Sequence, residues 1–214
     1  MSPTVDVYAF DLVAAAVEPP GLDRSLPVHE RDAPTAARQV RVATRRLLGT
    51  RLGLDPGSVP VTRECEHCGH PTHGRPRLRG VAGPAFGASH SGSFALVAIA
   101  EETDAIGVDL EVIRLRADLD ALAARVLGAD ALTAWRLGPG ATALERFLGA
   151  WTAKEAYLKA TGIGIATDLR SVPDEPMGWW VAPIAAPVGC VASIARRGSG
   201  PVGIRSHRAG TVMT

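Results

Sequence analysis

Two short apolar runs mark the middle of the chain. Phe94 to Ala100 (FALVAIA) is continuous and predicts a buried strand, and Ile106 to Val112 (IGVDLEV) predicts a second. The acidic turn Glu101-Glu102-Thr103-Asp104 between them suggests a hairpin. Val5 to Leu12 alternates apolar and polar residues and reads as an opening strand. Ala36 to Leu52 predicts a helix with Val40, Ala43, Leu47 and Leu48 as its apolar stripe. Further helices are expected at Leu119 to Leu127 and Ala141 to Thr161, with Gly162 placed to end the latter. Asp55 to Gly83 is rich in Pro, Gly, Cys and His and reads mostly as loop. Trp179 to Val202 resembles further strands, followed by a small basic tail. Strands followed by helices in both halves, without regular βαβ spacing, predict an α+β fold.

Composition narrows the function classes. The 214 residues are 46% hydrophobic and 21% charged, with a net charge of +1, so no global field points to nucleic acid or an anionic membrane. No apolar run approaches the ~20 residues that span a bilayer. Met1 to Phe10 lacks the basic and apolar regions of a secretory signal, and Cys65, Cys68 and Cys190 do not make a disulfide framework. The expected compartment is the cytoplasm.

Chemistry concentrates in two places. Side chains alternate along Gly107-Val108-Asp109-Leu110-Glu111, so Asp109 and Glu111 share a face opposite Val108 and Leu110. Two neighbouring carboxylates repel unless something positive lies between them, and hard oxygen ligands suit Mg²⁺. A solvent-facing strand edge or an arginine bridge would accommodate the same pair. On the last predicted helix, Trp151, Glu155 and Lys159 fall at i, i+4 and i+8 on one face. Lys154 and Lys159 are the only two lysines among 23 Lys plus Arg, which marks them as positions where a guanidinium would not serve.

The segments GVDLE and WTAKEAYLKATGIGI closely resemble the paired signature of the phosphopantetheinyl transferases, G-[VI]-D-x-E and W-x-x-K-E-A-x-x-K. Gly74-Arg75-Pro76 is similar to that family's G-K-P, and Ser89-His90-Ser91-Gly92 to its S-H-S-G. The likeness runs from roughly Arg31 to Ile165 and is best for the larger, monomeric class typified by the surfactin synthetase activator.

This resemblance implies transfer of 4′-phosphopantetheine from coenzyme A to a serine of an apo acyl or peptidyl carrier protein, releasing adenosine 3′,5′-bisphosphate. It implies Mg²⁺, with Mn²⁺ as a substitute, held by Asp109, Glu111 and Glu155. Glu155 would serve as base, directly or through a water on the metal, and Lys159 would contact the pyrophosphate. Arg75, Ser89 and His90 match nucleotide contacts, and Arg31, Arg38, Arg41 and Arg45 lie where further ones are expected. The implied fold is a pseudo-dimer of two α+β halves, each a small antiparallel sheet packed on a long helix. Residues 1–104 would carry nucleotide contacts, and 105–214 the catalytic carboxylates. The apolar stripe of Leu119 to Leu132 is a candidate carrier surface. Polyketide, nonribosomal peptide or siderophore pathways are the expected setting. The competing reading is a non-enzymatic protein that binds coenzyme A, or zinc through Cys65, Cys68, His70 and His73.

Overall fold

The continuous apolar run at Phe94–Ala100 forms a strand buried along nearly its whole length, and the first sheet is built outwards from it. The computed structural model describes residues 3–13, 26, 31, 33–65, 68–70, 74–115, 117–138, 143–163 and 167–209. The first elements are β1 (Thr4–Asp11), α1 (Thr35–Leu52), β2 (Val61–Thr62), β3 (Arg77–Leu78), β4 (Ala85–Ser91), β5 (Phe94–Ala100) and β6 (Ile106–Val112). They are followed by α2 (Leu119–Val126), α3 (Ala129–Leu137), α4 (Ala143–Thr161), β7 (Trp179–Ile184), β8 (Cys190–Arg197) and β9 (Gly203–Ala209). The architecture is α+β. One sheet runs β4-β5-β1-β9, another β6-β8-β7, and β2 and β3 form a short ladder of their own.

Pairing within β4-β5-β1 and β6-β8-β7 is antiparallel, and β9 joins β1 in parallel. Val5, Val7, Leu96 and Ala98 of the first sheet share one core with Val108, Leu110, Ala192 and Ile194 of the second. The opposite face of the first sheet is covered by α1, whose Val40, Ala43 and Leu48 meet Phe10, Phe86, Val97 and Ile99. On the second sheet, Ala156 and Ala160 of α4 pack against Ala195. Small residues there let the helix sit very close. A Cβ on Gly107 would lie 2.1 Å from the Ala156 carbonyl oxygen and 2.6 Å from the Ala160 nitrogen. A Cβ on Gly87 would come within 3.2 Å of the Gly107 Cα, a tight but less extreme approach of β4 to β6.

The strand limits at 94–100 and 106–112 match the sequence pattern, but these strands do not form a hairpin. Both edges of β5 are taken, by β1 and β4, and β6 pairs with β8 in the other sheet. The stretch after Val202 is a strand rather than a basic tail. Its Arg205 and His207 stand beside the largely buried carboxylate of Asp6 on β1, Arg205 Nε at 2.9 Å and His207 Nε2 at 2.8 Å. Arg51 of α1 adds a third contact to Asp6 at 2.8 Å, and His207 stacks on Tyr8 with ring centroids 4.3 Å apart. The Leu119 to Leu132 stripe is also used internally, because Ala123 and Val126 pack with Phe147 and Leu148 while Leu119, Leu122 and Leu132 lie against them.

Two stability predictions follow from these contacts. Gly107→Ala places a methyl group inside backbone atoms that cannot yield, and is expected to destabilise by about 3 kcal/mol or more in denaturant unfolding. A loss below ~1 kcal/mol would show that α4 can lift from β6 at little cost. Burial alone would raise the Asp6 carboxyl, but hydrogen bonds from His207, Arg51 and Arg205 hold it below its ordinary value. A depressed carboxylate stabilises the fold above its unfolded pKa, ~3.9, and loses that contribution as pH falls through the folded value. Asp6→Asn should therefore cost about 2 kcal/mol near neutrality. The gap from the parent protein should narrow below about pH 4, read from unfolding midpoints across pH.

Candidate active site

Asp109 and Glu111 lie on the face of β6 that looks toward α4, while Val108 and Leu110 enter the shared core, as alternation requires. The helix sets Glu155 and Lys159 one turn apart, and the close approach at Gly107 brings that turn down beside the strand. Lys159 Nζ lies 2.5 Å from Asp109 Oδ1 and donates to Ser89 Oγ at 3.0 Å. Ser89 in turn donates to Asp109 Oδ1 at 2.9 Å, so one oxygen of this buried carboxylate is held by two donors. The other, Oδ2, is buried with no hydrogen-bond partner.

Glu155 is also buried. Burial, then the charge of Asp109, raises its carboxyl above the ordinary range, Lys159 pulls the other way, and Glu111 adds a further upward push. Three carboxylates thus face one ammonium. Among the described residues no three His, Cys, Asp or Glu side chains close into a ready metal shell, and Lys159 lies against Asp109 in this arrangement. The donor set nonetheless fits a hard divalent cation. An unpartnered buried oxygen and a surplus of negative charge are what such an ion would satisfy.

Beside the carboxylates opens a cleft of about 290 Å³, lined by Arg63, Gly74, Arg75, Gly107, Glu155, Lys159 and neighbouring residues. It brings together Arg75, Glu155 and Lys159 of the expected set. Arg75 donates to the Asp104 carbonyl at 2.7 Å and packs near Gly162, whose φ of 73° ends α4 as the sequence indicated. His90 belongs to the same electrostatic neighbourhood. Burial and then Lys159 lower its imidazole pKa, while Glu111 raises it.

The remaining arginines sit further off. Arg41 and Arg45 border a smaller hollow that shares Arg63, Pro76 and Ala88 with the cleft. Arg45 is buried and donates to the Val59 carbonyl at 2.6 Å. Arg31 donates to the Leu26 carbonyl at 2.9 Å, and Arg38 to the Arg31 carbonyl at 3.3 Å. Two residues were given no role in the sequence reading: Arg63, which it did not single out, and Ser91, quoted there only within the S-H-S-G resemblance. Arg63 lines both cavities, and its only sequence signal was a position just before the Cys65 loop. Ser91 donates to Glu111 Oε2 at 2.8 Å, two residues after Ser89 and hence on the same face. Of the cysteine cluster, Cys65 is buried, Cys68 and His70 are exposed, and His73 lies outside the described residues.

A family model of the 4′-phosphopantetheinyl transferase superfamily matches residues 105–182, the span that holds β6 and α4. The chain is 35% identical over 169 residues to the 4′-phosphopantetheinyl transferase HetI of Nostoc sp., covering 73% of this chain and 68% of that protein. It is 34% identical over 139 residues to slr0495 of Synechocystis sp., covering 64% and 53%. It is also 31% identical over 147 residues to the L-aminoadipate-semialdehyde dehydrogenase-phosphopantetheinyl transferase of Eremothecium gossypii, covering 63% and 49%. The match therefore spans about half the length of the last two relatives.

The two lysines of α4 divide between fold and site. Lys154 is 4% exposed and donates to the Leu169 and Val172 carbonyls at 3.1 and 2.8 Å, with Asp174 at 3.3 Å. It ties the segment after α4 back onto the helix. Lys154→Met removes the donor and leaves two carbonyls without it, and should lower unfolding free energy by about 2–3 kcal/mol. An unchanged denaturation midpoint would refute this structural role.

Proposed function

The chain belongs to the 4′-phosphopantetheinyl transferase superfamily, and on that premise we propose that it moves the 4′-phosphopantetheine arm of coenzyme A onto a serine of an apo acyl or peptidyl carrier protein. The observation that carries this reading is the group formed by Asp109, Glu111, Glu155 and Lys159 at the edge of an open cleft. Asp109, Glu111 and Glu155 would hold Mg²⁺, or Mn²⁺ in its place. When bound, that ion supplies positive charge against the pyrophosphate.

The serine oxygen forms a bond to the phosphorus that carries pantetheine, and the bond from that phosphorus to the bridging oxygen of adenosine 3′,5′-bisphosphate breaks. Glu155 receives the serine proton. It is the carboxylate of this group that lines the cleft, where the incoming hydroxyl would lie. Lys159 swings from Asp109 to the pyrophosphate and neutralises the leaving phosphate. Arg75 and Arg63 line the cleft where further anionic groups of coenzyme A would lie. Ser89, His90, Arg31, Arg38, Arg41 and Arg45 complete the proposed nucleotide-binding set, with Arg45 also bracing the Val59 carbonyl.

We also read the fold as a pseudo-dimer divided near Asp104. Setting aside the short β2-β3 ladder, the helices α2 and α3, and β9, both halves run strand, long helix, strand, strand, and their sheets order these alike, as β4-β5-β1 and β7-β8-β6. Each first strand also carries an acid that pairs with a base near the end of the long helix, Asp6 with Arg51 and Asp109 with Lys159. A monomer acting in the cytoplasm on polyketide, nonribosomal peptide or siderophore carriers completes the proposal. No helix among the described residues is long and apolar enough to cross a membrane.

Incubation with coenzyme A, Mg²⁺ and an apo carrier, followed by intact mass, should show a gain of one phosphopantetheine. Asp109→Ala and Glu155→Ala should each slow transfer by ~10²–10³-fold, the scale of removing one electrostatic group from a preorganised site. If apo carriers of fatty-acid, polyketide and peptide-synthetase types all stay unmodified, the transferase reading fails.

A further inference from the structure

Ser91 stands between two strands that share no backbone ladder. β4 pairs with β5 and β6 pairs with β8, so β4 and β6 meet through side chains. Three successive rungs join them: Gly87 against Gly107, Ser89 against Asp109, and Ser91 against Glu111. The two halves therefore touch at the carboxylates themselves.

The Ser91 rung is directional. Its hydroxyl accepts from the Val112 N–H at 3.2 Å and donates to Glu111 Oε2 at 2.8 Å. A hydroxyl has one proton, and the backbone donor leaves that proton aimed at the carboxylate. Asp109 is held by both Ser89 and Lys159, whereas Glu111 has no other hydrogen bond or ion pair among the described residues. Without Ser91 the Glu111 side chain would be free to change rotamer at the edge of the site.

We infer that Ser91 is a positioning residue: it fixes the Glu111 carboxylate so that Oε1 is left to a divalent cation. This rests on the reading that Asp109, Glu111 and Glu155 hold such an ion. Partners that orient a ligating carboxylate typically change metal affinity by ~10–100-fold when removed. A hydroxyl that merely stitched β4 to β6 would affect stability and leave metal affinity alone.

The test is calorimetric titration of Mg²⁺ into the full chain without coenzyme A. Ser91→Ala should weaken binding by ~10-fold or more, and Ser91→Thr, which keeps the hydroxyl, should stay within about threefold of the parent. In a Glu111→Gln background, adding Ser91→Ala should change little, because the group it orients is already altered. In transfer assays, Ser91→Ala should raise the Mg²⁺ needed for half-maximal rate while kcat at saturating Mg²⁺ stays within a few-fold. Should Ser91→Ala fail to fold, Ser91→Cys, with a weak donor of similar size, carries the same expectation. Equal Mg²⁺ affinity in parent and Ser91→Ala overturns the inference, as does an undiminished effect in the Glu111→Gln background. A parent that binds no Mg²⁺ overturns the metal reading and this inference with it, a result distinct from equal tight binding.

Discussion

Position 107 has no room for a side chain, because the Ala156 carbonyl of α4 lies where one would begin. That approach sets the depth at which the helix rests on β6. With α4 so low, the turn bearing Glu155 and Lys159 comes level with Asp109. The matching approach of Gly87 lets β4 come level with β6, so that its serines reach the same carboxylates. Neither glycine needs an unusual backbone angle here. At Gly107 a methyl group would push apart elements whose charged residues must meet, and at Gly87 it would ask β6 to give by a few tenths of an ångström.

Such closeness is costly without compensation. Carboxylates taken out of water and set side by side lose hydration and repel, and burial together with Asp109 already raises the Glu155 carboxyl. One ammonium and two hydroxyls meet part of this demand. The ammonium is well suited because it is compact and its three donors can turn independently, whereas a guanidinium fork would need a wider opening. The same argument covers Lys154, which points its donors at two carbonyls in a buried space. A chain with 23 basic residues thus keeps its two lysines on one helix for two different reasons.

The carboxylate pair and the helix face were legible because both follow from local periodicity. Period two places Asp109 with Glu111, and the helical repeat places Glu155 with Lys159. Strand limits were equally clear where apolar runs are continuous, as at Phe94–Ala100. Pairing was not legible, since nothing in the turn at Glu101 to Ala105 reveals that the edges of β5 are taken by β1 and β4. β9 was read as a basic tail because its charged residues answer an acid nearly two hundred positions earlier, a match that no local window contains. Ser91 was visible in the S-H-S-G segment, but its contact with Glu111 was not, because that contact depends on β4 lying against β6.

The two acid–base pairs of the proposed halves separate fold from chemistry. Asp6 meets Arg51 as Asp109 meets Lys159, each joining a first strand to its long helix. Around Asp6 the chain adds Arg205 and His207 from β9, which also pairs with the edge of β1, and the carboxylate is fully engaged. Around Asp109, among the described residues, no strand pairs with the corresponding edge of β6. β4 approaches it with hydroxyls only, one carboxylate oxygen is left over, and a cleft opens beside it. The same strand-and-helix geometry therefore makes a closed clasp in one proposed half and, in the other, an open acidic edge beside a cleft, the place proposed for the metal and coenzyme A. What distinguishes them is whether a strand and its cations fill the edge.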